Sequence, residues 1–304
     1  MKKLLYKIII TGLIFLSIAI LLGFLSFIHP LFDSLTHFRI HFLIILVCLL
    51  IVLFFFISGK MRYAIVFILL SIALYMLYIL PSPVIASIIC KKERIEMMQF
   101  NLRFDNNHID KLKTYLSKES SIDVATFQEV TYAHKAKLEE LKDKYPYQAY
   151  CEFATVGGEM IISKYPFTNN GGCIKGQGLV WREIDTGNKK FSLVSLHLHW
   201  PYPYGQYNQI TTLSKELEQI KGPIILGGDF NAAPWSHAVG RIANASHSRV
   251  ISGVRWSIKV NTPIAPIWLP IDHVLTSDFK VVNIIVGDDL GSDHLPILST
   301  FCID

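Results

Sequence analysis

The chain has 304 residues, of which 51% are hydrophobic and only 17% are charged, and its formal net charge is +5. Globular domains carry about 25% charged residues, so this composition excludes a chain exposed to water throughout, and it also excludes a disordered one. Residues 1–90 hold six Lys or Arg and one acid, which leaves 23 basic and 23 acidic residues in 91–304. The positive charge is therefore confined to the first part and is not a signature of nucleic-acid binding.

Three apolar runs without charged side chains occupy residues 8–28, 40–57 and 63–80. Each is about long enough to cross a hydrocarbon core of about 30 Å as a helix, and lipid tolerates a single spanning segment only as a helix. The sequence therefore predicts a membrane anchor over 1–90 with three transmembrane helices. The remainder, 91–304, is long enough for one catalytic domain with its own core.

Lys and Arg residues predict the orientation of this anchor. Five of them flank the first span or lie between the second and third spans, whereas the loop between the first two spans contains only Arg39. This count favours an N-terminus in the cytoplasm and, after three crossings, a domain outside it, although the basic residues that follow the third span argue against this. An oxidising compartment would permit a bridge between Cys151 and Cys173, and the alternative of two buried thiols stays open.

Beyond the anchor, short apolar runs alternate with turn signals. The patterns predict helices over 109–118, 132–144 and 206–220. They predict strands over 94–102, 123–127, 147–153, 159–163, 179–184, 191–199, 223–226, 271–275, 281–286 and 295–301. Hairpins interrupted by helices indicate an α/β fold in which two sheets pack together with helices outside.

Polar groups of the kind that bind metals or transfer protons stand at the ends of these strands. Five segments of this kind are Gln99-Phe100-Asn101, Gln128-Glu129, His197-Leu198-His199, Gly227-Gly228-Asp229-Phe230-Asn231 and Gly291-Ser292-Asp293-His294. A sixth, Ile271-Asp272-His273, puts an acid inside an apolar stretch, and because a lone buried carboxylate is costly unless paired, a partner such as His294 is expected. One such ending is typical of a turn, but six in one domain indicate a functional edge, because strand ends are where a rigid sheet displays functional groups.

These residue types favour hydrolysis of a phosphate ester. The carboxylates of Glu129 and Asp293 are the oxygen ligands that Mg²⁺ prefers, and the cation would polarise the phosphoryl oxygens. Asp229 is a candidate for orienting the attacking water. His294, held by Asp272, is the natural choice for stabilising the transition state or donating a proton.

The order and spacing of these motifs resemble the endonuclease/exonuclease/phosphatase family over about residues 94–304. The resemblance implies the deoxyribonuclease I-like fold, a four-layered α/β sandwich of two packed mixed β-sheets flanked by helices. The stretch from His197 to Pro203 is similar to membrane-anchored bacterial members of that family.

The resemblance also implies the cofactor and its ligands. Mg²⁺, or Mn²⁺ in its place, would be held mainly by Glu129 with help from Asn101, and Asp293 would be a second carboxylate at the metal site.

Five further roles follow from the same resemblance. Asp229 would orient the attacking water, and Asn231 would contact the phosphate or the transition state. His294 would be the catalytic histidine with Asp272 as its acidic partner. His197 would contact the phosphate or act as an acid.

Four residues beside these motifs are candidate substrate contacts, each with an alternative. Arg103 binds phosphate or caps its strand, and His199 lines the site or lies at the surface. Trp200 and Trp235 border the pocket, rest at a membrane interface or pack against neighbouring side chains.

The membrane anchor favours a phospholipid or lipid-linked phosphate as substrate, for a protein of a bacterial inner or plasma membrane with its catalytic domain outside the cytoplasm. The neutral domain disfavours a nuclease, which needs a basic stripe, but hydrolysis of DNA or RNA stays as the alternative. A catalytically silent binding module is a third hypothesis. Such a module would be expected to lack Glu129, Asp229 or His294, and all three are present. Nothing in the sequence indicates a protein partner.

Overall fold

The computed structural model describes residues 2–56, 60–83, 90, 93–118, 121–263 and 265–303. The chain divides into two compact units, and each is described by itself. The first comprises Met1–Ser82 with Trp235–His237, and the second comprises Pro83–Pro234 with Ala238–Asp304.

The first unit is helical. Its helices are α1 (Lys2–Phe24), α2 (Pro30–Thr36), α3 (Arg39–Phe56) and α4 (Lys60–Tyr78). The short helix α2 begins where the His29 side chain accepts the Leu31 N–H at 3.1 Å and Pro30 takes the first helical position, both ordinary signals for a helix start. Leu46, Ala73 and Met76 are buried in this unit's apolar core.

The prediction of three transmembrane helices is wrong. Among the described residues, only α1 is by itself long and apolar enough to cross a membrane, over Lys7–Phe24. Helices α2 and α3 pass that test only as a pair, and they are bent by 63° relative to each other. The apolar part of the fourth helix, Tyr63–Tyr78, is shorter. Hydropathy also placed the end of the first run at residue 28, because it counts apolar residues without registering the end of α1 at Phe24.

The second unit contains the strands and the remaining helices. Its strands are β1 (Glu93–Asn101), β2 (Val124–Val130), β3 (Tyr147–Ala154), β4 (Gly157–Ser163), β5 (Phe167–Ile174), β6 (Leu179–Asp185), β7 (Lys190–His197), β8 (Ile224–Asp229), β9 (Arg249–Val250), β10 (Ile258–Val260), β11 (Ile267–Leu269), β12 (Asp272–Thr276), β13 (Lys280–Val286) and β14 (Ile297–Ile303). Its helices are α5 (Ile109–Lys118), α6 (Tyr132–Glu139), α7 (Gln206–Leu217) and α8 (His237–Ala245).

Twelve of these strands form two six-stranded sheets, and β10 and β11 form a separate ladder. The first sheet has the order β13-β14-β1-β2-β4-β3, and the second has the order β5-β6-β7-β8-β12-β9. The pairs β1–β2 and β7–β8 are parallel and their neighbours are antiparallel, so both sheets are mixed. The predicted α/β fold with two mixed sheets flanked by helices is confirmed.

Alternation along the strands explains how the layers pack. Met97 of β1 is buried with Leu193 and Ile225 of the second sheet, between the two sheets. Phe100, on the opposite face of β1, is buried with Leu112 of α5. Helices α7 and α8 cover the outer face of the second sheet in the same way.

The sequence patterns missed six elements, namely α2, β5, α8 and the short strands β9, β10 and β11. Two of them, β5 and α8, show why. Strand β5 has the sequence FTNNGGCI, whose Asn and Gly residues are typical of turns. The structure uses the glycines for close packing, since a Cβ at Gly172 would lie 2.5 Å from the indole nitrogen of Trp181. Helix α8 was missed because Gly240 interrupts its short apolar pattern.

Four of the five cysteines are paired. Cys151 of β3 is bonded to Cys173 of β5, with 5.6 Å between their Cα atoms, and this bridge joins the edge strands of the two sheets. Cys90 is bonded to Cys302 of β14, with a Cα separation of 5.7 Å. The alternative of two buried thiols at 151 and 173 is therefore not what the structure shows.

Candidate active site

Strand topology gathers the polar segments at one edge of the sandwich. The parallel strands β7 and β8 place His197 beside Asp229, and the antiparallel strand β12 places Asp272 opposite Asp229. In the first sheet, the parallel strands β1 and β2 place Asn101 beside Gln128. The carboxyl ends of these parallel pairs therefore meet the amino end of β12.

The Asp272–His294 pair is the most buried part of the site. The Asp272 side chain is fully buried, and its Oδ2 atom lies 2.7 Å from His294 Nδ1. Burial lowers the pKa of His294, but the charges of Asp272 and Asp229 raise it to about 10. Burial opposes ionisation of Asp272 too, yet His294 and its hydrogen-bond donors hold the pKa of this carboxyl below its ordinary value. His294 thus remains protonated at neutral pH.

Asp229 lies between this pair and the rest of the site. Its Oδ2 atom accepts a hydrogen bond from Asn101 Nδ2 at 2.9 Å and lies 3.7 Å from His294 Nε2. Its Oδ1 atom accepts the Asn231 N–H at 2.8 Å, while Asn231 Nδ2 donates to the Leu198 carbonyl. Burial, followed by the nearby charge of Asp272, raises the pKa of Asp229 to about 7. Near neutral pH this carboxyl can therefore hold or release a proton.

A bulge in β2 directs Glu129 into the site. The register with β4 shifts between Phe127 and Val130, and Glu129 has a left-handed φ of 55°. Bulges commonly re-aim a side chain next to an active site. Glu129 Oε1 accepts from Asn101 Nδ2 at 3.2 Å, and Oε2 accepts from the Phe104 N–H at 2.9 Å. The Asn101 amide thus links Glu129 to Asp229.

His197 is surrounded by three carboxylates. Its Nε2 atom lies 3.7 Å from Asp229 Oδ2 and 3.9 Å from Glu129 Oε1, and its Nδ1 atom lies 3.7 Å from Glu159 Oε1. Burial, helped by the charge of His294, lowers the pKa of His197 to about 3. This imidazole is therefore neutral near pH 7, and its lowered pKa makes it a poor proton acceptor.

Glu159 is the residue of this edge that the sequence analysis missed. It is fully buried in β4, and burial raises the pKa of its carboxyl well above the ordinary value. Its signal was present in the sequence, because it is an acid inside the apolar strand Gly157–Ser163. A buried carboxyl is costly without a partner, and the same criterion had singled out Asp272.

Asp293 and Arg103 form the open side of the site. Arg103 Nη1 lies 3.5 Å from Asp293 Oδ2, and the same guanidinium is paired with Asp105. Arg103 has a left-handed φ of 59°, and its N–H donates to Asn101 Oδ1 at 2.9 Å. A residue other than glycine in this region of φ is strained, and such residues cluster at functional sites.

The other candidate substrate contacts differ in their placement. The His199 ring packs on Phe153 with 4.9 Å between ring centroids, and Phe153 also packs on His197 at 5.2 Å. Trp200 follows directly and is 49% exposed. Trp235 groups with the first unit, where its Nε1 atom donates to the Thr36 carbonyl at 2.7 Å. His197 and His199 therefore share the Phe153 ring.

The donor chemistry of the site fits a hard divalent cation. The potential ligand atoms of Asp229, Asp272 and His294 lie within 4.8 Å of one another, although the last two residues are hydrogen-bonded together. The raised pKa of Asp229 indicates negative charge that burial leaves uncompensated. Glu129 and Asp293 add oxygen atoms of the type that Mg²⁺ prefers. The chain can therefore offer a metal an oxygen-rich set of ligands, and the identity of the metal stays a prediction.

Solved structures of other proteins share this fold. The crystal structure of D. rerio TDP2 complexed with a single-strand DNA product matches with a TM-score of 0.57 and 15% identity over 70% of this chain and 100% of that one. The endonuclease/exonuclease/phosphatase from Bacteroides vulgatus matches with a TM-score of 0.56 and 17% identity over the same shares.

One curated relative also matches, but only in part. A UPF0294 protein of Vibrio campbellii (strain ATCC BAA-1116) is 31% identical over 98 residues, which are 32% of this chain and 34% of that protein. The chain thus matches about a third of that relative's length. The model of the Endonuclease/Exonuclease/phosphatase family matches residues 98–294, a span that includes every strand end described above. The chain therefore belongs to the endonuclease/exonuclease/phosphatase family.

Proposed function

We propose that this protein is a membrane-anchored, divalent-metal-dependent hydrolase that cleaves a phosphate ester of a phospholipid or a lipid-linked phosphate. The observation that carries the hydrolase assignment is the buried Asp272–His294 pair, whose free Nε2 edge faces Asp229 at 3.7 Å. A protonated imidazole beside a carboxyl that titrates near neutrality is a proton donor next to a proton acceptor. Hydrolysis by an activated water needs both.

Each residue of this arrangement has a part in the proposed reaction. Asp229 orients the water and takes its proton as the new bond to phosphorus forms. The P–O bond to the leaving group breaks, and the leaving oxygen takes the proton from His294 Nε2. His294 holds its proton at Nε2, while Asp272 fixes the ring through Nδ1, so positive charge is available to the phosphoryl oxygens. The Asn231 backbone N–H donates to Asp229 and keeps that carboxyl aligned with the site.

A divalent cation completes the proposed site. Glu129, assisted by Asn101 and Asp293, would hold Mg²⁺ or Mn²⁺, which supplies polarisation of the phosphoryl oxygens. Arg103, paired with Asp293 at 3.5 Å, stands where it can exchange that partner for a phosphate oxygen of the substrate.

The lipid substrate is supported by features outside the catalytic cluster. Helix α1 is long and apolar enough to cross a membrane. The loop after His197 exposes three aromatic side chains, Trp200 at 49%, Tyr202 at 46% and Tyr204 at 68%. Trp and Tyr are enriched where proteins meet the headgroup region. The equal numbers of acids and bases in 91–304 disfavour a polyanionic substrate.

Nucleic acid is the alternative substrate. One observation favours it, which is the similarity of this fold to the D. rerio TDP2 structure that contains a single-strand DNA product. Charge is the discriminating physical property, because a nuclease must neutralise several phosphates at once.

The test uses the full-length protein in detergent micelles with Mg²⁺. We would first offer bis(p-nitrophenyl) phosphate and p-nitrophenyl phosphate, which separate diester from monoester hydrolysis. Phospholipid vesicles, a polyprenyl pyrophosphate, plasmid DNA and RNA would follow. We expect His294→Ala and Asp229→Ala each to lower turnover by at least about 100-fold, the usual scale of acid–base catalysis. EDTA should abolish turnover, and Mg²⁺ or Mn²⁺ should restore it.

The matched control is His247→Ala, because His247 is exposed on the loop after α8. It should leave turnover unchanged. Near-normal rates in His294→Ala or Asp229→Ala would remove the proposed mechanism, and undiminished activity in chelator would remove the metal. Cleavage of nucleic acid without cleavage of any lipid would replace the proposed substrate by the alternative.

A further inference from the structure

A chain of buried polar side chains runs between the two sheets beneath the active site. It consists of Gln99 on β1, Gln128 on β2 and Ser195 on β7, each with no exposed surface. Burying an amide costs free energy unless its polar atoms find partners. Apolar side chains fill the neighbouring positions of this layer, so these polar groups require a specific reason.

The hydrogen bonds of this chain have only one consistent direction. Ser195 Oγ donates its single proton to the Phe127 carbonyl at 3.1 Å, so it must accept from Gln128 Nε2 at 3.0 Å. This contact turns Gln128 Oε1 toward Gln99, whose Nε2 atom donates to it at 2.9 Å. The second N–H of the same Gln99 nitrogen reaches Asp272 Oδ1 at 3.0 Å.

The direction of the Gln99 amide is thereby fixed. If the amide were turned over, its oxygen would face Gln128 Oε1 and Asp272 Oδ1, which are both acceptors. In the observed orientation Gln99 Oε1 is buried and, among the described residues, has no hydrogen-bond partner. An unpaired buried carbonyl is unfavourable, so what the amide supplies is the donor that it presents to Asp272.

Each carboxylate oxygen of Asp272 consequently receives a donor. Gln99 occupies Oδ1, and His294 Nδ1 occupies Oδ2 at 2.7 Å. With both oxygens held, the carboxylate plane cannot rotate, and the imidazole that depends on it keeps its Nε2 edge toward Asp229. Support of this kind, behind the groups that react, sets the precision of a site.

We propose that Gln99 is a positioning residue for the Asp272–His294 pair and that Gln128 and Ser195 fix the direction in which Gln99 donates. This inference rests on the proposed hydrolase function for its kinetic consequence. Gln99 acts through Asp272 and does not itself touch the reacting groups.

The second sheet packs closely on this layer. A Cβ at Gly227 of β8 would lie 2.5 Å from Thr126 Oγ1 and 3.1 Å from Gln99 Cβ. The glycine therefore leaves room for the Gln99 side chain where the second sheet crosses over β1.

The experiment compares Gln99→Leu with Gln148→Leu in the full-length protein. Gln148 is the matched control, since its amide is partly buried and donates to the Leu138 and Tyr145 carbonyls away from the site. With bis(p-nitrophenyl) phosphate we expect Gln99→Leu to lower kcat by at least about tenfold at unchanged KM, because orientation is lost without a substrate contact. Gln148→Leu should retain its kcat.

A double-mutant cycle separates positioning from structure. On an Asp272→Asn background, Gln99→Leu should cause no further loss of kcat, since the group through which it acts is already altered. Losses that multiply would overturn the proposal. Should Gln99→Leu fail to fold, Ser195→Ala takes its place, with a smaller loss of kcat expected because Gln128 loses the acceptor that orients it.

A readout without substrate keeps the two proposals distinguishable. The imidazole Nδ1–H proton of His294, assigned by its loss in His294→Gln, should shift in the NMR spectrum of Gln99→Leu and stay in place in Gln148→Leu. An unmoved signal would overturn the positioning role whatever the enzyme hydrolyses. A shifted signal in a protein that hydrolyses no phosphate ester would support the positioning role while removing the proposed function.

Discussion

Asp229 combines complete burial with a carboxyl group that the reaction needs in its charged form. Its pKa is raised to about 7, first by burial and then by Asp272. Because the folded-state pKa lies above the unfolded one, folding favours the protonated form. The resulting contribution to the free energy of unfolding is present below about pH 4, the ordinary range of an aspartate, and is lost as the pH rises through about 7. Above neutrality, the charged Asp229 destabilises the fold.

Replacing Asp229 with asparagine should therefore remove this pH dependence of stability while inactivating the protein. In EDTA we expect the Tm of Asp229→Asn, relative to the wild type, to rise by at least about 2–4 °C between pH 5 and pH 8, since one pKa unit corresponds to ~1.4 kcal/mol and ~1 kcal/mol shifts Tm by that much in a domain of this size. At pH 5 the difference should shrink, because the wild-type carboxyl is then protonated. The measurement is thermal unfolding followed by circular dichroism at both pH values.

Asp278→Asn serves as the control for this experiment. Asp278 is exposed, so its replacement should move Tm little at either pH. A Tm difference between Asp229→Asn and the wild type that does not grow from pH 5 to pH 8 would contradict the burial argument.

The chemistry of individual residues made much of the site predictable, but the orientation of its buried side chains could not be predicted from the sequence. An acid inside an apolar strand needs a partner, and this logic anticipated a hydrogen bond between Asp272 and His294. It would also have found Glu159, had the criterion been applied to β4. The direction of the Gln99 amide was beyond reach, because it depends on Ser195, nearly a hundred residues away in sequence.

At the scale of elements, Gly227 and Gly228 show why strand β8 is longer than its sequence suggests. Consecutive glycines before Asp229 are typical of a turn, and the predicted strand ended before them. In the structure both belong to β8, which continues to Asp229. A Cβ at Gly228 would lie 2.2 Å from the Leu196 carbonyl of the neighbouring strand. The glycines therefore permit close approach within and between the sheets, and a local pattern cannot show a contact with another strand.

Gly228→Ala should consequently destabilise the fold by about 1–3 kcal/mol or more, because the added methyl group meets backbone and cannot be avoided by rotating a side chain. Gly240→Ala in helix α8 is the matched control. A Cβ there meets nothing within 4 Å, and alanine in a helix is favoured over glycine by about 0.5–1 kcal/mol. Urea unfolding should move the two midpoints in opposite directions. A neutral Gly228→Ala would show that the strands can separate at this point without loss.

At the scale of the whole molecule, if the first unit is the proposed membrane anchor, the number of crossings decides the compartment of the catalytic unit. With the N-terminus in the cytoplasm, one crossing by α1 places that unit outside, whereas a second crossing by α2 and α3 returns it to the cytoplasm. The two disulfides discriminate between these arrangements, because such bonds persist in oxidising compartments and are rare in the cytosol. They support the proposal of an odd number of crossings and of a substrate reached from outside the cytoplasm.

Thiol counting on the protein made in cells tests this arrangement. A mass-tagged maleimide applied to the denatured, unreduced protein should add one label, at Cys48, which is the free cysteine among the described residues. After reduction, all five cysteines should react. Cys48→Ser should remove the single label and leave the reduction-dependent ones. Protease added to spheroplasts should digest the catalytic unit. The contrary result is five labels without reduction together with protection from protease. It would mean that the unit faces the cytoplasm and that α2 and α3 form a second crossing. The proposed substrate would then have to be reached from the inner leaflet.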